Sequence, residues 1–281
     1  MRSRQFGPTG IEVPVVGLGT WNLERDERSA VLSAVQRAVE LGVTHFDTAE
    51  MYGVGAVETL LGEALKGRRD RAFLVSKVLP QNASKAGTVA ACERSLRRLG
   101  TDHLDCYLLH WPGPHPLGET VAAFEGLVQA GKIKCWGVSN FDVDDLEALL
   151  KIAGPGKVAC NQVLYHLRER AVEHAVLPWC EAHGVALVAY SPYGGEGGFP
   201  EERSPGGRAL AKIAESLQAT PRQVALAFLA RRPGSFVIPK TGHPSRVVEL
   251  AAAGELVLDE GQVRALEAAF PRGRAKGLPT G

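Results

Sequence analysis

The chain has 281 residues, with 32 Lys+Arg against 31 Asp+Glu and a formal net charge of +1. Hydrophobic residues make up 45% and charged residues 22%, which excludes a disordered chain and leaves ample apolar surface for a core. With charge near zero, and the basic cluster at 68–71 interrupted by Asp70, neither a nucleic acid nor a membrane is expected as a partner.

Residues 1–10 are polar, with Pro and Gly, and do not read as a secretory signal. Residues 4–14, with Gly7-Pro8-Thr9-Gly10 as the turn, read as a hairpin. Short runs rich in Val, Ile, Leu and Phe then alternate with amphipathic stretches. A strand at 15–18 precedes a helix at 29–41 capped by Ser29, and a strand at 44–47 precedes a helix at 57–65. Strands at 73–77, 103–110 and 133–139 are followed by helices at 87–99, 120–130 and 143–150. The pairs 158–163 with 171–183, 186–190 with 221–231, and 236–238 with 246–252 complete the series, and a further helix follows at 260–270. The Gly-rich, Pro-punctuated stretch 194–207 reads as a mobile loop. No apolar run approaches the roughly 20 residues of a membrane span.

Eight strand-then-helix units without a compositional break indicate one α/β domain over 1–281. Continuous apolar strands are those of a parallel sheet covered on both faces. The count favours a closed (β/α)8 TIM barrel, with an N-terminal β-hairpin and extra helices, over an open sheet. Five scattered cysteines, odd in number and without a C-x-x-C pair, support neither a disulfide framework nor a zinc site; they read as buried, reduced thiols of a cytoplasmic protein.

In such a barrel the C-terminal strand ends surround the active site. From the second strand onward they finish in Asp47-Thr48-Ala49 with Tyr52-Gly53 beyond, Ser76-Lys77, His110-Trp111, Ser139-Asn140, Asn161-Gln162, Tyr190-Ser191 and Pro239-Lys240. Asp47, Tyr52, Lys77 and His110 form a chemical set. A phenol has a pKa of about 10. An ammonium about 4 Å away contributes roughly 4 kcal/mol, or about three pKa units. Lys77 is therefore expected to bring Tyr52 toward neutrality, Asp47 to hold Lys77 charged, and His110 to orient a carbonyl. The set suits protonation of an oxygen as it becomes an alkoxide.

The sequence resembles the aldo-keto reductase family along its whole length. The resemblance is carried by 42–53 (GVTHFDTAEMYG), Val75-Ser76-Lys77, Leu108-Leu109-His110-Trp111, Gly137-Val138-Ser139-Asn140-Phe141, Asn161-Gln162, Tyr190-Ser191-Pro192 and Ile238-Pro239-Lys240-Thr241. It implies a reductase moving a hydride between NADPH and an aldehyde or ketone. Tyr52 would be the general acid, tuned by Lys77 and Asp47, and His110 would position the substrate. Ser139, Asn140 and Gln162 would hold the nicotinamide carboxamide, with Tyr190 against the ring and Ser191, Pro192 and Tyr193 over the pyrophosphate. Gly19, Thr20, Trp21 and Asp47 would also line the cofactor. Lys240, Thr241 and Arg246 match positions that bind the 2′-phosphate, which implies NADP rather than NAD.

Trp21 and Trp111 would wall the substrate pocket beside Tyr52 and His110. Leu250 stands where many members place an Asn on the adenine, and Tyr193 where a Leu is common. The short connection from His110 to Thr120 and the short tail point to a small pocket. The runs 47–52, 107–111 and 161–166 look like bacterial members that reduce methylglyoxal and similar small aldehydes. The remaining histidines lack metal-ligand spacing, so no metal is expected. Gly17-Leu18-Gly19 lacks the third glycine of a Rossmann fingerprint, because Asn22 stands there. The motif around Ser139 lacks the second glycine of a nucleophile elbow. The alternative function is a non-catalytic NADPH-sensing barrel subunit. A monomer is expected.

Overall fold

The structure, a computed structural model, describes residues 1–195 and 198–279. Strands β1 (Ser3–Gln5) and β2 (Glu12–Pro14) form the antiparallel hairpin, with Ser3 opposite Pro14. Phe6, at the start of its turn, is completely buried, with ring centroids 4.9 Å from Phe73 and 5.1 Å from Phe236. The hairpin thus plugs one end of the barrel.

The barrel strands are β3 (Leu18–Gly19), β4 (His45–Asp47), β5 (Phe73–Val78), β6 (Leu104–Leu109), β7 (Ile133–Ser139), β8 (Val158–Leu164), β9 (Ala186–Tyr190) and β10 (Ser235–Val237), each parallel to its neighbour in chain order. Backbone hydrogen bonds from Gly17 N to Val237 O (2.8 Å), Val237 N to Val15 O (3.0 Å) and Gly19 N to Pro239 O (3.0 Å) close the seam between first and last strands. The expected cylinder is therefore shut. Its interior holds Val13, Val75, Cys106, Leu108, Cys160 and Val188, while the larger core lies between the sheet and the helices.

The helices are α1 (Arg28–Glu40), α2 (Ala56–Ala64), α3 (Lys85–Leu99), α4 (Leu117–Gln129), α5 (Val143–Ala153), α6 (Val176–His183), α7 (Pro205–Ser216), α8 (Pro221–Leu229), α9 (Pro244–Ala253) and α10 (Glu260–Ala269). No helix among the described residues is long and apolar enough to cross a membrane. Where they start is decided by local donors and acceptors. Ser84 caps α3 by accepting from Gly87 N at 3.1 Å, and Thr220 and Gln223 form a reciprocal capping box on α8.

Three expectations are corrected. Glu27, not Ser29, caps α1: its carboxylate accepts from Ser29 N at 2.9 Å and Ala30 N at 2.7 Å. The helix expected over 171–183 is a single turn at Ala171–Glu173 followed by α6. Pro178 explains the break, because its ring clashes with a helical carbonyl four residues earlier. The stretch 194–207 is not all loop: Ser204 caps α7, Pro205 occupies its first position, and Leu210, Ile213 and Ala214 are buried. Residues 196 and 197, also within the expected mobile loop, lie outside the described residues, as do 280 and 281 of the expected domain.

His45 sits inside the barrel against Phe6 and Phe73, and burial pulls its pKa down to about 3. Burial likewise pulls His110 down to about 2. Unfolding returns both to about 6.5, so below that pH the unfolded chain binds more protons than the folded one. Stability present above pH 6.5 is lost as the pH falls, by about 1.4 kcal/mol per pH unit for each histidine. Urea unfolding at stepped pH should show this loss, and His45→Leu should remove one proton from the slope. An unchanged slope in His45→Leu would contradict the assignment.

Candidate active site

β4 stays laced to β5 beyond its own end: Thr48 N donates to Val75 O at 2.9 Å and Glu50 N to Lys77 O at 3.3 Å. That lacing carries the chain across the mouth of the barrel and sets Tyr52 beside Lys77. The following turn, Tyr52–Gly55, runs through left-handed backbone at Gly53, Val54 and Gly55. Glycine is favoured at Gly55 by its φ of 91°, left-handed backbone that L side chains rarely adopt, and the space a Cβ would take is filled by the Arg98 guanidinium. Arg98 is held by the fully buried Glu58 at 3.0 Å, and Glu58 also accepts from Ser76 Oγ at 2.6 Å, next to Lys77 in the chain. Neither Glu58 nor Arg98 was expected from the sequence. The available signal was a carboxylate adjoining the apolar face Val57, Leu61 and Ala64 of α2.

Lys77 is completely buried and all three of its N–H donors are engaged: Asp47 Oδ1 at 2.5 Å, Thr48 O at 2.8 Å and the Tyr52 hydroxyl oxygen at 3.3 Å. The other Asp47 oxygen accepts from Gln162 Nε2 at 2.7 Å. Burial opposes the ammonium, but Asp47 and Tyr52 outweigh it and hold the Lys77 pKa above its usual value. For Tyr52, burial raises the pKa, Lys77 pulls it back, Asp47 adds to the rise, and the balance stays above the ordinary phenol. The expectation that Lys77 brings Tyr52 toward neutrality is corrected. Desolvation of a phenolate is the larger effect, so the resting phenol keeps its proton. Because Lys77 donates to the phenolic oxygen, the Tyr52 hydrogen is left to point elsewhere.

His110 lies edge-on to Tyr52, with ring centroids 5.9 Å apart. Burial and the Lys77 charge keep its imidazole neutral. Its Nδ1 is buried without a hydrogen-bond partner among the described residues. Trp21, half-exposed, stands 5.2 Å from the Tyr52 ring, and Trp111 stands 4.8 Å from His110. The two expected walls thus flank the phenol and the imidazole.

A hydrogen-bonded rail continues from this cluster along the strand ends. Ser139 Oγ donates to Gln162 O (2.8 Å), Asn140 Nδ2 to Ser139 Oγ (3.2 Å) and to His110 O (3.2 Å), and Tyr190 OH to Asn140 Oδ1 (3.0 Å). Asn161 secures the turn after β7 by donating to Phe141 O at 2.8 Å. Among the described residues five non-glycines have positive φ, and four of them, Asn22, Val54, Asn140 and Ser191, lie in loops on this face. Backbone strain is concentrated where the polar groups converge.

The remaining expected residues fall in two groups. Gly19 is buried on the seam, while Thr20 is buried with its hydroxyl engaged by Asp47 O at 2.8 Å, so its side chain braces β4. Pro192 is buried, Ser191 is exposed, and Tyr193 packs with Phe199 around the Arg222 guanidinium, 4.8 and 4.6 Å from the two rings. Past β10, Thr241 Oγ1 accepts from His243 N (3.1 Å), and Arg246 is exposed without an ion-pair partner among the described residues. Lys240 carries an ion-pair partner that the sequence reading missed, Asp26, at 2.5 Å. Leu250 is buried in the core, away from any polar role.

Comparison with known proteins adds three findings. A profile of the Aldo/keto reductase family matches residues 15–270. A methylglyoxal reductase of Escherichia coli is 41% identical over 268 residues, 95% of this chain and 94% of that one, and a glyoxal reductase of Bacillus subtilis is 33% identical over 92% of this chain and 90% of its own. An aldo/keto reductase from Klebsiella pneumoniae, solved in complex with NADP and acetate, superposes with a TM-score of 0.92 at 42% identity, covering 99% of this chain and 98% of the other.

Proposed function

The chain belongs to the aldo/keto reductase family, and from that premise we propose that it reduces small aldehydes and ketones to alcohols with NADPH, methylglyoxal-sized dicarbonyls among them. The observation that carries the reading is Lys77, buried with its three donors on Asp47, Thr48 and the Tyr52 oxygen. Such a wiring prepares a phenol to lose its proton and to be stabilised once it has done so.

The donor set fits the dinucleotide. Amide and hydroxyl groups of Asn140, Gln162 and Ser139 stand at one end of the rail with the Tyr190 ring, suited to a carboxamide-bearing ring, and the cations Lys240 and Arg246 stand beyond β10, suited to a phosphate dianion. A bound reduced nicotinamide supplies the hydride. The chain supplies the rest. The neutral His110 imidazole orients the carbonyl by hydrogen bonding and is not the proton source, since an imidazolium is disfavoured there. Tyr52 donates its proton to the oxygen as negative charge develops, and the Lys77 ammonium stabilises the tyrosinate left behind. Asp47 and Gln162 keep that ammonium in place, while the Trp21 and Trp111 rings supply apolar surface beside the phenol and the imidazole.

A small substrate is supported by relatives named as methylglyoxal and glyoxal reductases. The five buried free cysteines suit the reducing cytoplasm. The test is a titration with NADPH and NADH, followed by small dicarbonyls, aryl aldehydes and sugars under saturating cofactor. NADPH preference and turnover of the small dicarbonyls are expected. Preference for NADH, or no turnover on any carbonyl, would overturn the reading.

A further inference from the structure

Asp26 follows the single helical turn Leu23–Arg25 that leaves β3, and Lys240 follows β10; the two residues are 214 positions apart and meet across the barrel seam. Asp26 Oδ2 accepts from Lys240 Nζ at 2.5 Å, and both side chains remain partly open, at 27% and 36% exposure. The contact is built into the backbone. Gly19 bridges to Lys240 in the closing ladder, and a Cβ at Gly242 would collide with the Asp26 carboxylate. The neighbouring acids are otherwise engaged. Glu27 caps α1 and Glu24 lies 3.8 Å from Arg25, so Asp26 is the carboxylate turned to Lys240.

Resting on the NADPH reading above, we infer that Asp26 is a specificity-determining residue: a resident carboxylate that the 2′-phosphate must displace from Lys240. A phosphate arriving at Lys240 meets an ammonium already neutralised, with the negative charge of Asp26 packed against the Lys240–Gly242 turn. A partly exposed ion pair is a weak bond and is readily exchanged. A lysine ammonium on a flexible stem, with rotatable donors, can make that exchange where a rigid guanidinium fork would not. Asp26 therefore sets the affinity for NADPH below what Lys240 and Arg246 would give together, and it hastens release of NADP+ by reclaiming the ammonium. NADH, which lacks the 2′-phosphate, is indifferent to the exchange.

The test compares dissociation constants for NADPH and NADH, by quenching of protein fluorescence, in wild type, Asp26→Asn, Lys240→Met and the double variant. Asp26→Asn is expected to tighten NADPH by about three- to tenfold, to change NADH less than twofold, and to slow NADP+ release in stopped flow. In the Lys240→Met background the same substitution should tighten NADPH less than in wild type, because only the direct repulsion between carboxylate and phosphate is then relieved. Asp26→Asn that leaves NADPH unchanged, weakens it, or tightens both cofactors alike overturns the assignment of Asp26, while a weakened NADPH in Lys240→Met keeps the cofactor reading standing. If Lys240→Met itself leaves NADPH binding unaltered, the phosphate reading fails and Asp26 falls with it.

Discussion

Tyr52→Phe should slow the reduction of a small aldehyde by between about 10² and 10⁴, the usual worth of a positioned general acid, while NADPH binds as in wild type. The substitution removes one oxygen from a ring that keeps its contacts with Trp21 and His110. Lys77 loses only the longest of its three acceptors, at 3.3 Å, and keeps Asp47 and Thr48. The fold and the cofactor groove therefore have little reason to change, and the loss should fall on the chemical step. Single-turnover decay of NADPH absorbance with saturating aldehyde isolates that step. A rate within twofold of wild type would remove Tyr52 from the mechanism.

The second large effect belongs to Lys77→Met. Removing one partner of a buried pair leaves the other charge uncompensated, and Asp47 is 2% exposed with Gln162 as its remaining side-chain donor. Loss of about 3–5 kcal/mol of stability is expected, measured by urea unfolding. Activity should fall with it, because nothing would then stabilise a tyrosinate. Lys77→Met/Asp47→Leu separates the two losses. Replacing both charges by apolar groups should restore most of the stability, as it often does for buried pairs, and none of the activity. Lys77→Met as stable as wild type, or a double variant that regains turnover, would contradict this account of the pair.

Much of the architecture was legible because a parallel barrel writes itself as apolar runs closed by polar strand ends. Asp47, Lys77 and His110 stand at three such ends and Tyr52 just beyond the first, and the structure brings them together. What was hidden depends on which strand ends face one another across the mouth. Gln162 donates to Asp47 over 115 positions and Asp26 pairs with Lys240 over 214, and no local spacing reveals either contact. Glu58 was hidden for a related reason: its partners Ser76 and Arg98 come from other elements.

The direction of the Tyr52 shift is not legible in the sequence, because a charge count sees the ammonium but not the loss of water around the phenol. The helix at Pro205–Ser216 is hidden because its first turn carries the glycine and proline of a loop, although Ser204 and Pro205 together form a helix start.

The coupling between phenol and amine is measured most directly by a double-mutant cycle on the single-turnover rate, using wild type, Tyr52→Phe, Lys77→Met and the pair. If the ammonium acts by stabilising the tyrosinate, then once the phenol is gone its removal costs the chemical step nothing further, and the pair is no slower than Tyr52→Phe alone. Losses that multiply in the double variant would show the two side chains acting independently and would contradict the account.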